Sequence, residues 1–167
     1  MIRQACSDDA AEIANVHVNS WRETYAGLLP QKFISELPLS FRRRRDYWES
    51  VIQKSPQNLL VAEEEKFGIV GFASVESARD PRLTGKGELT AIYLLRSFHG
   101  KGLGRDLLAA ALGELKTRGF KEAYCWVLKD NPTIRFYQRS GASFLGYEKP
   151  DTIGGQSVTE LAYGWTL

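Results

Sequence analysis

The sequence predicts a mixed α+β fold built around one sheet. Seven short segments have the apolar composition of strands, and longer segments carry apolar residues at helical spacing. These segments follow one another in the order β-α-α-β-β-β-α-β-α-β-β. The helix between the fourth and fifth strands is a crossover, so we expect these two strands to be parallel neighbours joined in the right-handed sense.

The first strand is predicted at Ile2–Ala5, and a helix follows from Asp8. In this helix Asp9 and Glu12 have the spacing of a capping box, in which two side chains satisfy free N–H groups of the first turn. Residues three or four positions apart form its inward face: Ile13, Val16, Ser20 and Trp21.

A second helical region follows a break at Pro30 and continues to about Lys54. It is itself broken near Pro38, and Ser40 is available to cap its longer part. This part holds the one run of like charge, Arg42 to Arg45. We interpret most of these arginines as a solvated face; attraction of an acidic acceptor or of phosphate groups is the alternative.

Two extended runs, NLLVAEE from Asn58 and GIVGFASVES from Gly68, predict a hairpin. The fourth strand begins at Glu88 and leads into a turn with three alternating glycines. The helix after it, about Gly102–Arg118, has a broad face of leucine and alanine and should pack against the sheet.

The remaining segments are the strand AYCWVL, a short helix after Asn131, and two closing strands near Ser143–Tyr147 and Val158–Trp165. The chain of 167 residues, with 43% hydrophobic and 25% charged residues, is expected to form one domain over residues 1–167. A net charge of +2, without a basic aromatic-rich motif, argues against a nucleic-acid partner.

Cysteine and histidine are too few and too scattered to form a metal site of known spacing. They are Cys6, Cys125, His17 and His99. We therefore expect no metal. The N-terminal segment lacks the apolar core of a signal peptide, and no apolar run is long enough to cross a membrane, so a cytoplasmic location without membrane partners is expected.

The segment ELTAIYLLRSFHGKGLGRDLL carries the strongest functional signal, because an apolar strand passes through Gly100, Gly102 and Gly104 directly into a helix. Glycines let main-chain N–H groups approach an anion closely, and the helix N-terminus directs unpaired amides and the positive end of its dipole to the same place. This turn is suited to bind a pyrophosphate.

Spacing separates three kinds of glycine-rich turn. A P-loop requires a glycine, four intervening residues and then Gly-Lys-Ser/Thr, and no hydroxyl residue is placed here to hold magnesium. A Rossmann fingerprint requires a third glycine where Arg105 stands. The segment from His99 to Gly104 instead resembles the pyrophosphate loop, Arg/Gln-x-x-Gly-x-Gly/Ala, of the acyl-CoA-dependent N-acetyltransferases known as the GNAT superfamily.

A second segment, CWVLKDNPTIRFYQRSGA, resembles the other cofactor motif of this superfamily. A strand ends, an asparagine follows, and a short helix carries Phe-Tyr before a glycine. Asn131 can cap the helix, Pro132 suits its first position, and Gly141 suits a left-handed stop. Two motifs in the correct order, with their flanking elements, extend the resemblance over nearly the whole chain.

The resemblance implies a GNAT-like fold, in which a central, twisted, mostly antiparallel sheet contains a splayed fourth and fifth strand. It also implies acetyl-CoA as co-substrate, with the pantetheine arm pairing with the fourth strand and the diphosphate on the glycine turn. The cofactor-binding residues are then expected to be Ile92, Tyr93, Leu94, His99, Gly100, Lys101, Gly102, Leu103, Gly104, Arg105 and Asn131. His99 departs from the usual Arg or Gln; an imidazole would add positive charge only in mildly acidic solution, or it is an exposed loop residue without a role.

By the same resemblance Tyr137 is expected to be the general acid that protonates the departing thiolate. Glu88 is the predicted carboxylate that accepts the ammonium proton, directly or through water, and Asp80 and Glu160 are alternatives. Carbonyl polarisation is expected from a backbone N–H near Leu94.

Trp21 and Tyr25 in the first helix are candidates to bind a cationic amine through their aromatic faces, helped by nearby carboxylates; the alternative is that both belong to the core. The predicted function is transfer of an acetyl group to a primary amine of a small molecule or peptide, by direct attack in a ternary complex. A CoA-binding sensor or interaction module without turnover is the alternative. A homodimer is possible in either case.

Overall fold

The computed structural model describes residues 1–167 and contains one sheet of seven strands in the order β1-β2-β3-β4-β5-β7-β6. The predicted mixed α+β fold is confirmed, and every neighbouring pair except β4–β5 is antiparallel. The strands are β1 Ile2–Gln4, β2 Leu59–Glu64, β3 Gly68–Ser77, β4 Gly87–Leu94, β5 Glu122–Leu128, β6 Ser143–Ile153 and β7 Gln156–Thr166.

Helices cover both faces of this sheet. They are α1 Ala10–Tyr25, α2 Gln31–Glu36, α3 Phe41–Lys54, α4 Leu103–Thr117 and α5 Ile134–Arg139. The sequence-predicted break near Pro38 is present as a 3-10 turn at Leu37–Ser40 between α2 and α3. The larger core lies under α4 and α5, and a second core lies under α1 and α3.

Strand β3 explains why an apolar run forms a strand buried on both faces. Phe72 points into the core under α1 and α3, whereas Ala73 points into the core under α4. Because successive side chains alternate between faces, a strand between two helical layers needs an apolar residue at nearly every position.

Two predicted helix caps are wrong. The Asp9 carboxylate accepts from the Cys6 backbone N–H at 2.8 Å and so closes the turn before α1, while Glu12 accepts from the Ile69 N–H at 2.7 Å. The Ser40 hydroxyl donates to the Leu37 carbonyl at 2.6 Å rather than capping α3. In each case a tertiary or preceding-turn partner competes successfully for the polar group.

The predicted parallel pairing of β4 and β5 is confirmed, and it is very short. Only Gly87 and Glu88 of β4 have partners on β5, Ala123 and Tyr124 respectively. Beyond this point the strands diverge, and the burial of β4 falls from buried residues at its start to half-buried residues at its end. The splay that the resemblance implied is therefore present in the middle of the sheet.

A bulge lies just beyond the last β4–β5 pair. Ala91 pairs with Ser74 and Leu89 pairs with Val75 on β3, so Thr90 is an extra residue without a partner of its own. Its hydroxyl donates to the Ser74 carbonyl at 3.1 Å. Bulges re-aim strands and side chains, and this one coincides with the start of the splay.

The last two strands are longer than predicted. Both extend to eleven residues, and the β6 segment includes Pro150. Pro150 is tolerated because β6 is the edge strand and needs no donor on its outer side. No helix is both long and apolar enough to traverse a lipid bilayer.

Candidate functional site

The glycine turn between β4 and α4 has the backbone conformation that only glycine adopts readily. Gly100 has φ +75° and Gly102 has φ +87°, and Gly102 is the N-cap of α4. A side chain at Gly100 would meet no atom within 4 Å. These two glycines are therefore required for their left-handed backbone and not for lack of space.

This turn presents an unusual row of free donors. The six consecutive main-chain N–H groups from Gly100 to Arg105 donate to no other group of the chain, and the first backbone bond of α4 runs from the Asp106 N–H to the Gly102 carbonyl at 3.0 Å. Unpaired donors at the N-terminus of a 15-residue helix attract an anion by hydrogen bonding and by the helix dipole. The turn fits a diphosphate.

Cationic side chains surround these donors. Lys101 and Arg105 are exposed; the Lys101 Nζ lies 4.8 Å from the centre of the Phe98 ring, and Arg105 approaches only the adjacent Asp106 at 3.4 Å. Neither is held by a strong ion pair, so both are free to move toward a bound phosphate group.

His99 has a structural role in this turn. Its Nε2 lies 2.9 Å from the Leu94 carbonyl oxygen. Since a carbonyl can only accept, Nε2 carries the hydrogen. The bond ties the start of the turn to the end of β4, which is a way for histidine to shape the loop from a position where the superfamily motif has Arg or Gln.

The backbone of Ile92, Tyr93 and Leu94 borders the gap between β4 and β5. These residues pair with β3 on one side and have no strand partner on the other, because β4 pairs with β5 only at Gly87 and Glu88. Their half-burial at the centre of a sheet indicates an open cleft. The main-chain groups of Tyr93 face β3, and the Leu94 carbonyl is already engaged by His99, so the groups available to a ligand are the N–H and carbonyl of Ile92 and the N–H of Leu94.

Asn131 lies at the opposite wall of this cleft, in the turn that leads into α5. Its side-chain oxygen accepts from the Thr133 N–H at 2.9 Å, which closes the turn before α5; the helix begins at Ile134 with Thr133 as its N-cap, so Asn131 is not the helix cap that the sequence predicted. The side chain is buried, yet its NH₂ group is not among the buried polar groups that lack a partner. That group therefore reaches solvent and can donate to a ligand.

Tyr137 on α5 is buried among the residues under α4, with its ring 5.7 Å from Trp165. Its hydroxyl has no hydrogen-bond partner in the chain and is not completely enclosed. Burial raises the pKa of Tyr137 well above its ordinary value, with Cys125 and Tyr93 adding to the effect. The hydroxyl therefore keeps its proton throughout the neutral range.

Glu88 lies where β4 and β5 still pair, and its environment argues against direct proton transfer. The side chain is only 2% exposed, and its carboxylate accepts from the Arg79 backbone and guanidinium and from the Tyr124 hydroxyl. Burial acts to raise the pKa of Glu88, but these hydrogen bonds outweigh it and hold the pKa below its ordinary value. A carboxylate in this state is a weak base without a free lone pair directed at the cleft.

Asp80 and Glu160, the two alternative proton acceptors, differ in how strongly neighbouring cations hold them. Asp80 is engaged by the guanidinium of Arg82 at 2.7 Å, and these hydrogen bonds lower the pKa of Asp80 to about 2. Glu160 on β7 pairs opposite Leu128 of β5 and contacts Lys149 at 3.1 Å, with its side chain 17% exposed. Glu160 faces the side of the sheet that carries α1, opposite to Tyr137.

Trp21 and Tyr25 take part in an aromatic cluster on this same side of the sheet. Tyr25 is 9% exposed and Trp21 is half-buried, and their ring centres are 4.7 Å apart. Trp21 also approaches Tyr93 of β4, with ring centres 6.4 Å apart. Trp21 and Tyr25 therefore both pack within the protein. Through Tyr93, the aromatic cluster lies against β4, the strand that borders the cleft.

Several residues of the site were not found from the sequence. The Thr90 bulge has no glycine to signal it. His17 and Arg44 meet between α1 and α3, where the Arg44 guanidinium contacts the His17 Nε2 and lies 4.8 Å over the Trp21 ring. The spacing of His17 and Trp21, four residues apart on one helix, was the only available signal.

A splayed parallel strand pair, a phosphate-binding turn at one end and a protonated tyrosine beside the gap define an acyl-CoA-dependent acyltransferase. The model of the Acetyltransferase (GNAT) family matches residues 20–142, and the chain belongs to this family. The resemblance on which the sequence analysis depended is thus confirmed. Acetyl-CoA is the co-substrate of this class, and the six free N–H groups fit its diphosphate.

Two relatives cover nearly the whole chain. An uncharacterized N-acetyltransferase, YuaI, of Bacillus subtilis (strain 168) is 35% identical over 98% of this chain and 91% of its own length. A spermidine N(1)-acetyltransferase of Thermoplasma acidophilum is 25% identical over 97% of this chain and 96% of its own length.

Among solved structures, the PaiA N-acetyltransferase of Thermoplasma acidophilum in complex with coenzyme A has the same fold. Its TM-score is 0.78 at 23% identity, and the match covers all of this chain and 98% of that one.

We predict that Gly102→Val abolishes CoA binding while leaving the fold intact, because a branched side chain cannot hold φ +87° and will turn the free N–H groups away. Gly119→Val is the matched control: Gly119 has φ +92° and open space, but it lies at the far end of α4. Both variants should lose about 1–2 kcal/mol of stability. Calorimetry with CoA that finds undiminished affinity in Gly102→Val would remove the phosphate assignment.

We predict that Glu88→Gln lowers the free energy of unfolding by about 2 kcal/mol at pH 7, because a buried charge-assisted network is broken. The pKa of Glu88 is depressed in the folded state, so its contribution is present above the unfolded value of about 4.3 and is lost as pH falls through the lower folded value. Urea unfolding of both proteins should therefore show a difference that shrinks below about pH 4. Glu76→Gln, at the 40% exposed carboxylate that also contacts Arg79, should cost less than about 1 kcal/mol.

Proposed function

We propose that this protein transfers the acetyl group of acetyl-CoA to a primary amine of a small molecule or peptide, by direct attack within a ternary complex. The observation that carries the proposal is the position of the Tyr137 hydroxyl, which keeps its proton and has no partner in the chain, beside a strand gap that opens beyond Glu88 toward a phosphate-binding turn. Acetyl-CoA supplies a thioester whose carbonyl carbon can be attacked by an amine.

We assign the cofactor to the side of the sheet that carries α4, and the acceptor amine to the side that carries α1, which we call the acceptor side. The turn and α4 would hold the diphosphate, and the main-chain groups of Ile92 together with the Leu94 N–H, which point away from β3, would orient the pantetheine arm. The NH₂ group of Asn131 would donate from the other wall. Main-chain N–H groups of β4 that border the gap are the candidates to polarise the carbonyl, since they need no reorganisation as charge develops there.

Tyr137 is the proposed general acid. Its raised pKa means that the proton is present before reaction, and the hydroxyl needs only a sulfur atom within hydrogen-bond reach to deliver it. When the new C–N bond forms and the C–S bond breaks, this proton neutralises the departing thiolate.

Glu160 replaces Glu88 as the proposed proton acceptor for the incoming ammonium. Glu160 lies on the acceptor side of the sheet, is partly exposed, and is held by a single lysine contact. Glu88 pairs with Tyr124, four residues before the Leu128 that pairs with Glu160, and its carboxylate is committed to Arg79 and Tyr124. We therefore assign Glu88 to positioning the β4–β5 junction and Glu160 to accepting the proton.

The alternative is a CoA-binding sensor that retains the turn but has no turnover. The spermidine N(1)-acetyltransferase relative makes polyamines one acceptor class to test beside amino acids, aminoglycosides and peptide N-termini. Acceptor-dependent thiol release separates the two accounts. CoA binding without such release across a broad amine panel would favour the sensor.

Replacement of Tyr137 by Phe is expected to reduce kcat by about 100-fold, because one positioned general acid contributes roughly that factor or more. The affinity for CoA, measured by calorimetry, should stay within about twofold, since the ring and its packing are kept. Wild-type turnover in Tyr137→Phe would exclude the acid role.

Glu160→Gln is expected to lower kcat/KM by about 100-fold at neutral pH, whereas Glu148→Gln, at an exposed carboxylate on the adjacent strand, should have no effect. Raising the pH should recover part of the loss, because the free amine then no longer needs a proton acceptor. If Glu88→Gln, corrected for its folded fraction, lost turnover and recovered with pH while Glu160→Gln did not, the two assignments would be reversed.

A further inference from the structure

Arg44 is a cation without a counter-ion. The other half-buried arginines each contact a carboxylate, namely Arg3, Arg45 and Arg118. The partners of Arg44 are instead neutral: its Nε donates to the Ser40 hydroxyl at 2.9 Å, and its guanidinium meets His17 and the Trp21 ring. A partly desolvated guanidinium normally obtains a carboxylate or phosphate partner, and none is present here.

The surroundings of Arg44 have too few acceptors for their donors. His17 Nδ1 accepts from the Trp48 indole N–H at 3.0 Å, so in the neutral ring Nε2 must carry the hydrogen. Burial, followed by the nearby Arg44, lowers the pKa of His17 to about 3, so the ring is neutral. The Arg44 guanidinium therefore faces a donor at His17 Nε2, and the buried Trp21 indole N–H makes no hydrogen bond of good geometry, although it lies near the Tyr93 hydroxyl.

Tyr93 connects this cluster to the reacting centre. It lies on β4 beside the strand gap, stacks on His17 with ring centres 5.3 Å apart, and keeps part of its surface exposed. Its hydroxyl lies within electrostatic reach of both Arg44 and Glu160, which act on it in opposite directions. The acceptor side of β4 is thus flanked by an unpaired cation on α3 and a carboxylate on β7.

Two carboxylates that could have attracted a cationic acceptor, Glu23 and Asp80, are engaged elsewhere. Glu23 accepts from the Arg96 backbone N–H at 2.9 Å, and both oxygens of Asp80 accept from Arg82. A polyamine would bring at least one further positive charge into a cleft that offers only Glu160 and already contains Arg44. Charge complementarity favours an acceptor with one amine and one acidic group.

We propose that Arg44 binds an acidic group of the acceptor, so that the substrate is an amino carboxylate or amino phosphonate whose ammonium end lies toward Glu160. This inference deepens the proposed function and depends on it for the direction of the amine. The acidic group supplies the acceptor that Arg44 and the Trp21 N–H lack, and Tyr93 separates it from the reacting amine.

The test compares acceptors that differ only in charge. An ω-amino carboxylate series (glycine, β-alanine, 4-aminobutyrate, 6-aminohexanoate) is assayed against the corresponding amides, with spermidine as the polycation and 2-aminoethylphosphonate as the alternative acid. We expect kcat/KM for the best carboxylate or phosphonate to exceed that of its neutral partner by about tenfold or more, the effect of one charge-assisted hydrogen bond. Equal rates, or a preference for spermidine, would overturn the proposal.

Variants on α3 localise the effect. Arg44→Met should reduce the acid-to-amide ratio to about one, Arg44→Lys should retain part of it, and Arg42→Met, an exposed arginine on the same helix, should leave it unchanged. The ratio is independent of the fraction of active enzyme, so partial unfolding of a variant does not alter it. A ratio that survives Arg44→Met would assign acid recognition elsewhere and contradict the proposal.

Binding is measured separately by saturation-transfer NMR of the same compounds on the CoA-loaded protein. If nothing is acetylated but the acids bind in an Arg44-dependent manner, the transferase proposal fails and this inference stands. If amines are acetylated but acids bind no better than amides, the inference fails and the transferase proposal stands.

Discussion

The structure depends on the parallel pairing of β4 with β5, which is only two residues long. Each strand obtains its stability from its other neighbour: β4 pairs along its length with β3, and β5 pairs along its length with β7. The sheet therefore stays continuous at Gly87 and Glu88 and can open beyond them without losing either strand. Opening leaves main-chain groups of β4 without partners, and such groups need water or a ligand. The cleft exists because β4 and β5 stop pairing after Glu88.

The closed end of the cleft is fixed by the Glu88 network. One buried carboxylate joins the loop after β3, through Arg79, to β4 itself and to β5, through Tyr124. Removing one partner of such a network leaves a buried charge uncompensated, so the junction has one strongly preferred geometry. The Thr90 bulge follows directly and turns the strand away from β5. Glu88, which its sequence position suggested as a proton acceptor, thus has a more specific role: it fixes the junction from which the two strands diverge.

Local signals in the sequence were sufficient where structure is local. The glycine turn and the Gly141 stop at φ +91° each depend on a few consecutive residues, and both are present; the Asn131 side chain closes the turn before α5 instead of capping the helix. What the sequence could not supply are partners distant along the chain. Glu12 bonds Ile69, and Trp48 bonds His17, across separations of 57 and 31 residues. The same limit explains Glu88, whose residue type suggested a base until its distant partner Tyr124 was known.

The charge run of α3 shows how one helix can serve both solubility and specificity. Four consecutive arginines on a helix point in directions about 100° apart, so they cannot all face the same surroundings. Arg42 and Arg43 are exposed, while Arg44 points inward with Trp48, four residues later, toward the face of α1 that carries His17 and Trp21. The cluster formed by Arg44, Trp48, His17 and Trp21 lies between α1, α3 and one side of β4. The glycine turn, α4 and α5 lie on the other side of the sheet. On the proposed assignments, changes in the inward residues of α1 and α3 would alter the charge offered to an acceptor without disturbing the donors proposed to hold the acyl carrier, because the two sets share only the backbone of β4.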